Sequence, residues 1–143
     1  MTFYLLDENV PREFGPSGNV NVRRWIETVD DTSLRLSAAT LFEKRRGAEA
    51  LARRNPKRAA MLLAAIDGLE RQFSDRIVPI GEKEVAEWAR LLGKKNKDRW
   101  DLALVATARV HGFVLVTRNI KDFAGREVSL LNPFRNPPER EGP

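Results

Sequence analysis

Asp7, Glu43 and Asp101 lie far apart in the chain, yet each sits where an α/β protein gathers its chemistry, at a strand end or an early helical turn. Asp7 directly follows a short apolar run, within Leu5-Leu6-Asp7-Glu8-Asn9-Val10. A carboxylate there is well placed to hold a divalent cation, and equally to serve as a turn or cap residue. Glu43 lies about two turns into a helix that starts near Ser37 or Thr40, and it borders apolar Ala39 and Ala50. An acid beside a buried face is costly unless it is paired or ligates a metal; the plainer role is a surface ion pair with Arg45 or Arg46. Asp101 opens an apolar helix, where an acid caps free backbone N–H groups and complements the helix dipole. Asp98 competes for that cap, and a carboxylate's second oxygen still leaves room for a metal. Val116-Thr117-Arg118-Asn119-Ile120-Lys121-Asp122-Phe123 follows another apolar strand. Thr117, Asn119 and Asp122 all offer oxygen there, for loop hydrogen bonds, for a helical cap in the case of Asp122, or for a ligand. Carboxylates drawn together raise one another's pKa. A bound Mg2+ or Mn2+ relieves that repulsion, activates water and stabilises charge on a phosphate under attack.

The elements that must position these groups follow from hydrophobic spacing. Residues 3–6 read as a strand buried on both faces, followed by a loop punctuated by Pro11, Gly15, Pro16 and Gly18. Asn21 is expected to cap a helix to about Val29, with Val22, Trp25, Ile26 and Val29 on one side. Leu34 and Leu36 mark a second strand. The helix carrying Glu43 runs to about Arg53 and is broken by Asn55-Pro56. The next helix shows a stripe of Ala59, Leu62, Leu63, Ile66, Leu69 and Phe73. Residues 77–80 form a third strand. Residues 82–92 form a helix buried through Val85, Trp88 and Ala89, with Gly93 as its stop. A charged loop, residues 94–99, leads into the most buried helix, residues 102–110. Strands follow at 114–116 and 128–131. Alternation of short strands and helices predicts an α/β fold with a mainly parallel sheet. Residues 1–134 read as one domain and residues 135–143, rich in proline and charge, as an extended or disordered tail.

Composition narrows the chemistry. The 143 residues suit a single domain, 42% of them are hydrophobic, and 25 Lys and Arg against 20 Asp and Glu leave a net charge of +5. That excess suits a polyanionic partner such as RNA or DNA, or simply a solvated basic surface. With no cysteine, disulfides, thiolate metal sites and cysteine nucleophiles are excluded. One histidine, His111, excludes a multi-histidine site within the chain. Any metal must then be a hard cation on oxygen ligands. No apolar run approaches the ~20 residues that cross a bilayer, and the start of the chain lacks a basic segment or cleavage pattern. A cytoplasmic protein with no membrane role is expected.

Order and spacing together resemble the PIN domains of the VapC family, the toxin half of VapBC toxin–antitoxin pairs, over residues 2 to about 134. Four motifs carry the resemblance: Asp7-Glu8-Asn9-Val10 after the first strand; Ser37, Thr40, Glu43 and Gly47 on one helix; Asp101 ahead of Ala106-Thr107-Ala108; and Val116-Thr117-Arg118-Asn119 with Asp122-Phe123. Leu131-Asn132-Pro133-Phe134 is similar to the ending of one subgroup. The resemblance implies a PIN-like three-layer α/β/α sandwich around a five-stranded sheet, and a metal-dependent endoribonuclease. It makes Asp7, Glu43 and Asp101 metal-binding and catalytic, with Asn119 in the place of a fourth acid. Three positions depart from the pattern. Asn119 brings no charge, which disfavours a second tightly held cation. Glu8 replaces a hydroxyl residue, and Trp100 replaces a small residue or proline.

The mechanism expected from this resemblance is attack of a metal-activated water on an RNA phosphodiester. Mg2+ or Mn2+ is expected on Asp7 and Asp101, with Glu43 binding directly or through water. Asn9, Thr117 and Asp122 support the site, and Thr117 or Asn119 positions the water. Arg45, Arg46, Arg99 and Arg118, with Lys94, Lys95 and Lys97, are candidate phosphate contacts. The implied partners are RNA, a second copy of the chain, and a VapB-like antitoxin in a hetero-oligomer. The antitoxin's tail would bring an Arg or Lys into the acidic groove; Trp25 and Phe42 are expected to pack in the core, with bordering that groove as the alternative. The alternative is a PIN-fold module that binds RNA or protein with little or no cleavage.

Overall fold

The computed structural model describes residues 1–94 and 99–143. Six strands form one sheet in the order β3-β2-β1-β4-β5-β6. They are β1 (Tyr4–Leu6), β2 (Leu34–Ser37), β3 (Ile77–Val78), β4 (Val114–Val116), β5 (Leu130–Asn132) and β6 (Glu139–Glu141). The first five pair in parallel, and only β6 runs antiparallel, against β5. Among the described residues six α-helices connect them: α1 (Val20–Glu27), α2 (Ala38–Ala52), α3 (Pro56–Gln72), α4 (Glu82–Leu92), α5 (Arg99–His111) and α6 (Ile120–Phe123).

The three central strands carry consecutive apolar pairs because both sheet faces are covered. Successive residues point to opposite faces. Leu5, Leu115 and Leu130 therefore pack with Leu104, Val105, Ala108 and Phe123 on the α5–α6 side. Leu6, Val116 and Leu131 pack with Val22, Trp25 and Phe73 on the α1–α3 side. Parallel register sets Leu6 beside Val116 and Val116 beside Leu131, so these strands end level with one another. Residues just beyond that line, Asp7 and Thr117, open onto a common edge.

Four local expectations change. The tail supplies a sixth strand, where five were expected: Glu139, Arg140 and Glu141 are exposed but pair with Asn132, Leu131 and Leu130. Asn19, not Asn21, caps α1, its Oδ1 accepting the N–H groups of Asn21 and Val22. Asn21 instead donates its side chain to the Phe134 carbonyl, 2.8 Å away. On α4 the inward stripe is Glu84, Trp88 and Leu91, while Val85, 50% exposed, and Ala89 face outward. Glu84 is buried because its carboxylate is used twice, accepting the Gly81 N–H at 3.0 Å and facing His111 Nε2 at 3.4 Å. Helix α5 begins earlier than expected, with Arg99 already in it, and Lys95, Lys97 and Asp98 lie outside the described residues.

Candidate active site

Asp7 ends β1 without leaving the ladder, since its backbone N–H still donates to the Val116 carbonyl at 2.9 Å. Its side chain, 7% exposed, is held at both oxygens. Oδ1 accepts the Glu8 N–H at 2.8 Å, and Oδ2 accepts the Thr117 hydroxyl at 2.8 Å. Thr117, just past β4, is fixed in turn by β5, its N–H donating to the Leu131 carbonyl at 2.9 Å. Its oxygen also accepts the Asn119 N–H at 3.1 Å, which orders the start of α6. Burial pushes the Asp7 carboxyl above its ordinary range; the hydrogen bonds from Thr117 and Glu8 oppose this, and the charges of Glu8 and Asp122 add to it.

Glu43 reaches the same edge from α2. That helix starts immediately after β2, and Ser37 caps it by accepting the Ala39 N–H at 3.0 Å. Burial raises the Glu43 carboxyl, and the charges of Glu8, Asp101 and Asp7 raise it further, with Arg46 opposing them. Asp101 lies half-buried in the first turn of α5. Acids from β1, α2 and α5 thus feel one another's charge. They share a cleft of about 110 Å³ with Glu8, Asn9, Thr40, Trp100, Asn119 and Asp122. Among the described residues, no three acids converge closely enough to form a ready-made ligand cluster. The Asn9 Oδ1 is buried at the cleft and has no hydrogen-bond partner among the described residues.

Asn119 is the residue before α6, and its side chain makes no capping hydrogen bond. Asp122 lies inside α6, so it does not cap that turn. One supporting residue escaped the reading of chemistry from sequence: buried Asn132, at the end of β5. Its Nδ2 donates to the Arg118 carbonyl at 3.2 Å and its Oδ1 accepts the Phe134 N–H at 2.9 Å. It thereby braces the loop between Thr117 and Asn119. A buried amide at a strand's carboxyl end was the available signal. Thr40 and Trp100 also line the cleft without having been singled out as site residues.

The candidate cations separate. Arg45 points to α3, where it pairs with Asp67 at 2.7 Å and Glu70 at 2.8 Å; it is not among the residues lining the cleft. Arg46 is exposed and close enough to lower the Glu43 pKa. Lys94 and Arg99 are exposed. Arg118 is exposed, with its guanidinium 4.9 Å over the Phe134 ring. Of the two aromatics weighed between core and groove, Trp25 is core as expected, 4% exposed, whereas Phe42 remains at the surface.

The PIN-domain family model matches residues 4–125, from β1 through α6 and every cleft residue. The chain belongs to the PIN-domain family. The chain is 28% identical to Toxin FitB of Neisseria gonorrhoeae over 139 residues, covering 92% of this PIN domain and 99% of that toxin. It is 35% identical to Ribonuclease VapC1 of Rickettsia felis over 74 residues, 48% of this chain and 54% of the relative. It also superposes on a chain of FitAB bound to an IR36 DNA fragment, with a TM-score of 0.73 and 29% identity, over 93% of this chain and 96% of that one. No helix among the described residues is long and apolar enough to cross a membrane.

Proposed function

We propose that this PIN domain is a metal-dependent endoribonuclease and the toxin of a toxin–antitoxin pair. The observation that carries the reading is the common cleft of Asp7, Glu43 and Asp101, in which burial first, and neighbouring acids after it, raise the carboxyls of Asp7 and Glu43. The donor set fits a hard cation. It offers oxygen only, it is partly desolvated, and Asn9 adds a buried amide oxygen in want of a partner. Asp7, Asp101 and Glu43 would hold Mg2+ or Mn2+. Bound there, the ion would supply Lewis acidity and an activated water for phosphodiester hydrolysis.

The remaining work falls to the chain itself. Thr117 holds Asp7 in one orientation and, through the Asn119 N–H, sets the loop that flanks the cleft. The Asn119 amide, free of capping duty, would orient a water or the scissile phosphate. Arg46, Arg99 and Arg118 are assigned to RNA phosphates. Arg45 is not, because Asp67 and Glu70 occupy its guanidinium. Likeness to Toxin FitB and to Ribonuclease VapC1 supports toxin and ribonuclease roles. Likeness to a chain of FitAB supports assembly with an antitoxin, whose basic side chain would neutralise the acidic cleft, in a hetero-oligomer built on a homodimer.

A second reading, an RNA- or protein-binding module with little cleavage, is favoured by the neutral amide at Asn119 and by the lack of a ready-made acid cluster among the described residues. One assay separates the two. Purified protein freed of antitoxin should cleave RNA, lose that activity in EDTA and regain it with Mn2+. Chelator-insensitive RNA binding without cleavage would establish the second reading instead.

A further inference from the structure

We infer that Phe42 and Trp100 form a stacking platform for one nucleobase beside the acid cleft, and so require the nucleotide next to the cleaved bond to be unpaired. The inference rests on the nuclease reading and adds a specificity site to it. Three rings from three helices lie in a row. Trp88 on α4 meets Trp100 on α5 with centroids 5.6 Å apart and planes at 43°. Trp100 meets Phe42 on α2 at 4.9 Å and 36°. The inner end of the row is pinned, because the Trp88 indole N–H donates to the Arg99 carbonyl at 2.8 Å. The outer end is open, with Phe42 47% exposed. Trp100 itself lines the acid cleft.

Core packing does not account for Phe42. The buried face of α2 is made by Ala39, Leu41 and Ala48, of which Leu41 and Ala48 pack against Ile66 of α3. Phe42 directly precedes Glu43, and Trp100 directly precedes Asp101. On two different helices, then, a ring and a cleft acid are chain neighbours. A nucleotide whose phosphate lies at the acids carries its base toward the rings. Every base has a flat apolar face, and aromatic side chains bind it by stacking without needing a particular hydrogen-bond pattern. Bases inside a duplex do not present that face, so the platform selects unpaired RNA.

Charge favours a nucleotide over a second copy of the chain as the occupant. Exposed Arg46 follows Phe42 by one helical turn, and exposed Arg99 directly precedes Trp100. Both cations suit the phosphates flanking a stacked base. A two-fold contact through this patch would instead bring the same arginines of two copies together.

The test is a cycle between protein and RNA. Short unstructured oligoribonucleotides are made with each base near the cleaved bond replaced in turn by an abasic ribose, and kcat/KM is measured. One abasic position should cost the wild-type protein roughly tenfold to a hundredfold. Phe42→Ala and Trp100→Ala should show a similar loss on intact RNA, with little added loss on that abasic substrate. Trp100→Phe should recover most of the activity. Fully additive losses, or no sensitive position, would overturn the platform; additive losses with a weakened dimer would assign the rings to a second copy. If Trp100→Ala does not fold, Phe42→Ala at the exposed end carries the same cycle. If the wild-type protein cleaves no RNA, the nuclease reading fails on its own. The platform is then decided by tryptophan fluorescence: quenching by intact but not abasic RNA supports it, and no quenching overturns it.

Discussion

Two acid groups served by the same helix behave in opposite ways. At the α2–α3 joint, Asp67 and Glu70 flank Arg45 at 2.7 and 2.8 Å, and the guanidinium is held more basic by them. Two positions earlier on α2, Glu43 is pushed up by burial first and then by the charges of Glu8, Asp101 and Asp7. The first arrangement satisfies its charges within the fold. The second accumulates charge of one sign in a partly desolvated cleft, which opposes folding unless something cationic arrives. A fold keeps such a group of acids where it is used.

The sharpest way to break this contrast is Asp7→Asn. Cleavage of RNA should fall to background while the fold persists. In EDTA at neutral pH the variant should also be more stable than the wild type, since an amide removes a charge that burial disfavours. Retained chelator-sensitive cleavage in this variant would sink the nuclease assignment. Unfolding measured with urea would show the stability arm, and a loss instead of a gain would mean that Asp7 is structural in the manner of Asp67.

Thr117→Val tests the support of Asp7 without touching its charge. The substitution removes the 2.8 Å hydrogen bond to Oδ2 and the acceptor of the Asn119 N–H. Activity should fall about 10- to 100-fold, the usual range for residues that orient a metal ligand. With one influence that lowers the Asp7 pKa gone, the acid limb of the pH–activity profile should move upward. Stability should drop by about 1–3 kcal/mol, a buried hydrogen bond to a charged group being lost.

Proton linkage gives a third measurement, smaller in effect. Asp7 and Glu43 both have folded-state values above their ordinary 3.8 and 4.5. Between the ordinary and the raised values the folded protein binds more protons than the unfolded chain, so stability falls as pH rises through that window. Added Mn2+ should offset the fall above it, because an ion that binds only the folded state stabilises by mass action. Melting temperatures across pH, with EDTA and with Mn2+, would show two curves that diverge as pH rises. Parallel curves would mean that the acids are not neutralised by the ion.

Much of this contrast was legible in the sequence, and the reason lies in period and position. Leu5-Leu6 read as a doubly buried strand because consecutive apolar residues must face opposite sides of a sheet, and residues 114–116 read as another strand. Strand ends then located Asp7 and Thr117, and the capped start of α2 located Glu43. What escaped depends on partners distant in the chain. Strand β6 is made of Glu139, Arg140 and Glu141, whose side chains are exposed, and backbone pairing with β5 alone makes it a strand. Val85 and Glu84 exchanged expected roles because Gly81 and His111 give Glu84 two partners. The aromatic row draws on three helices, so no local spacing announced it.

Arg45 shows the same limit, and it supplies the last and smallest test. From sequence Arg45 was equivalent to Arg46, and it lies one residue nearer Glu43. Helix geometry separates the two: neighbouring residues point about 100° apart, so one faces α3 while the other stays beside the acids. Arg45→Ala should lower the urea midpoint slightly, and the difference should shrink in high salt, as for a solvent-accessible ion pair. RNA cleavage should be unchanged at any salt concentration. Arg46→Ala should do the reverse, leaving the midpoint close to the wild-type value while weakening RNA binding and its dependence on salt. If both substitutions weaken RNA binding equally, the division of α2 into a neutralised joint and a charged cleft does not hold, and the substrate groove extends over α3.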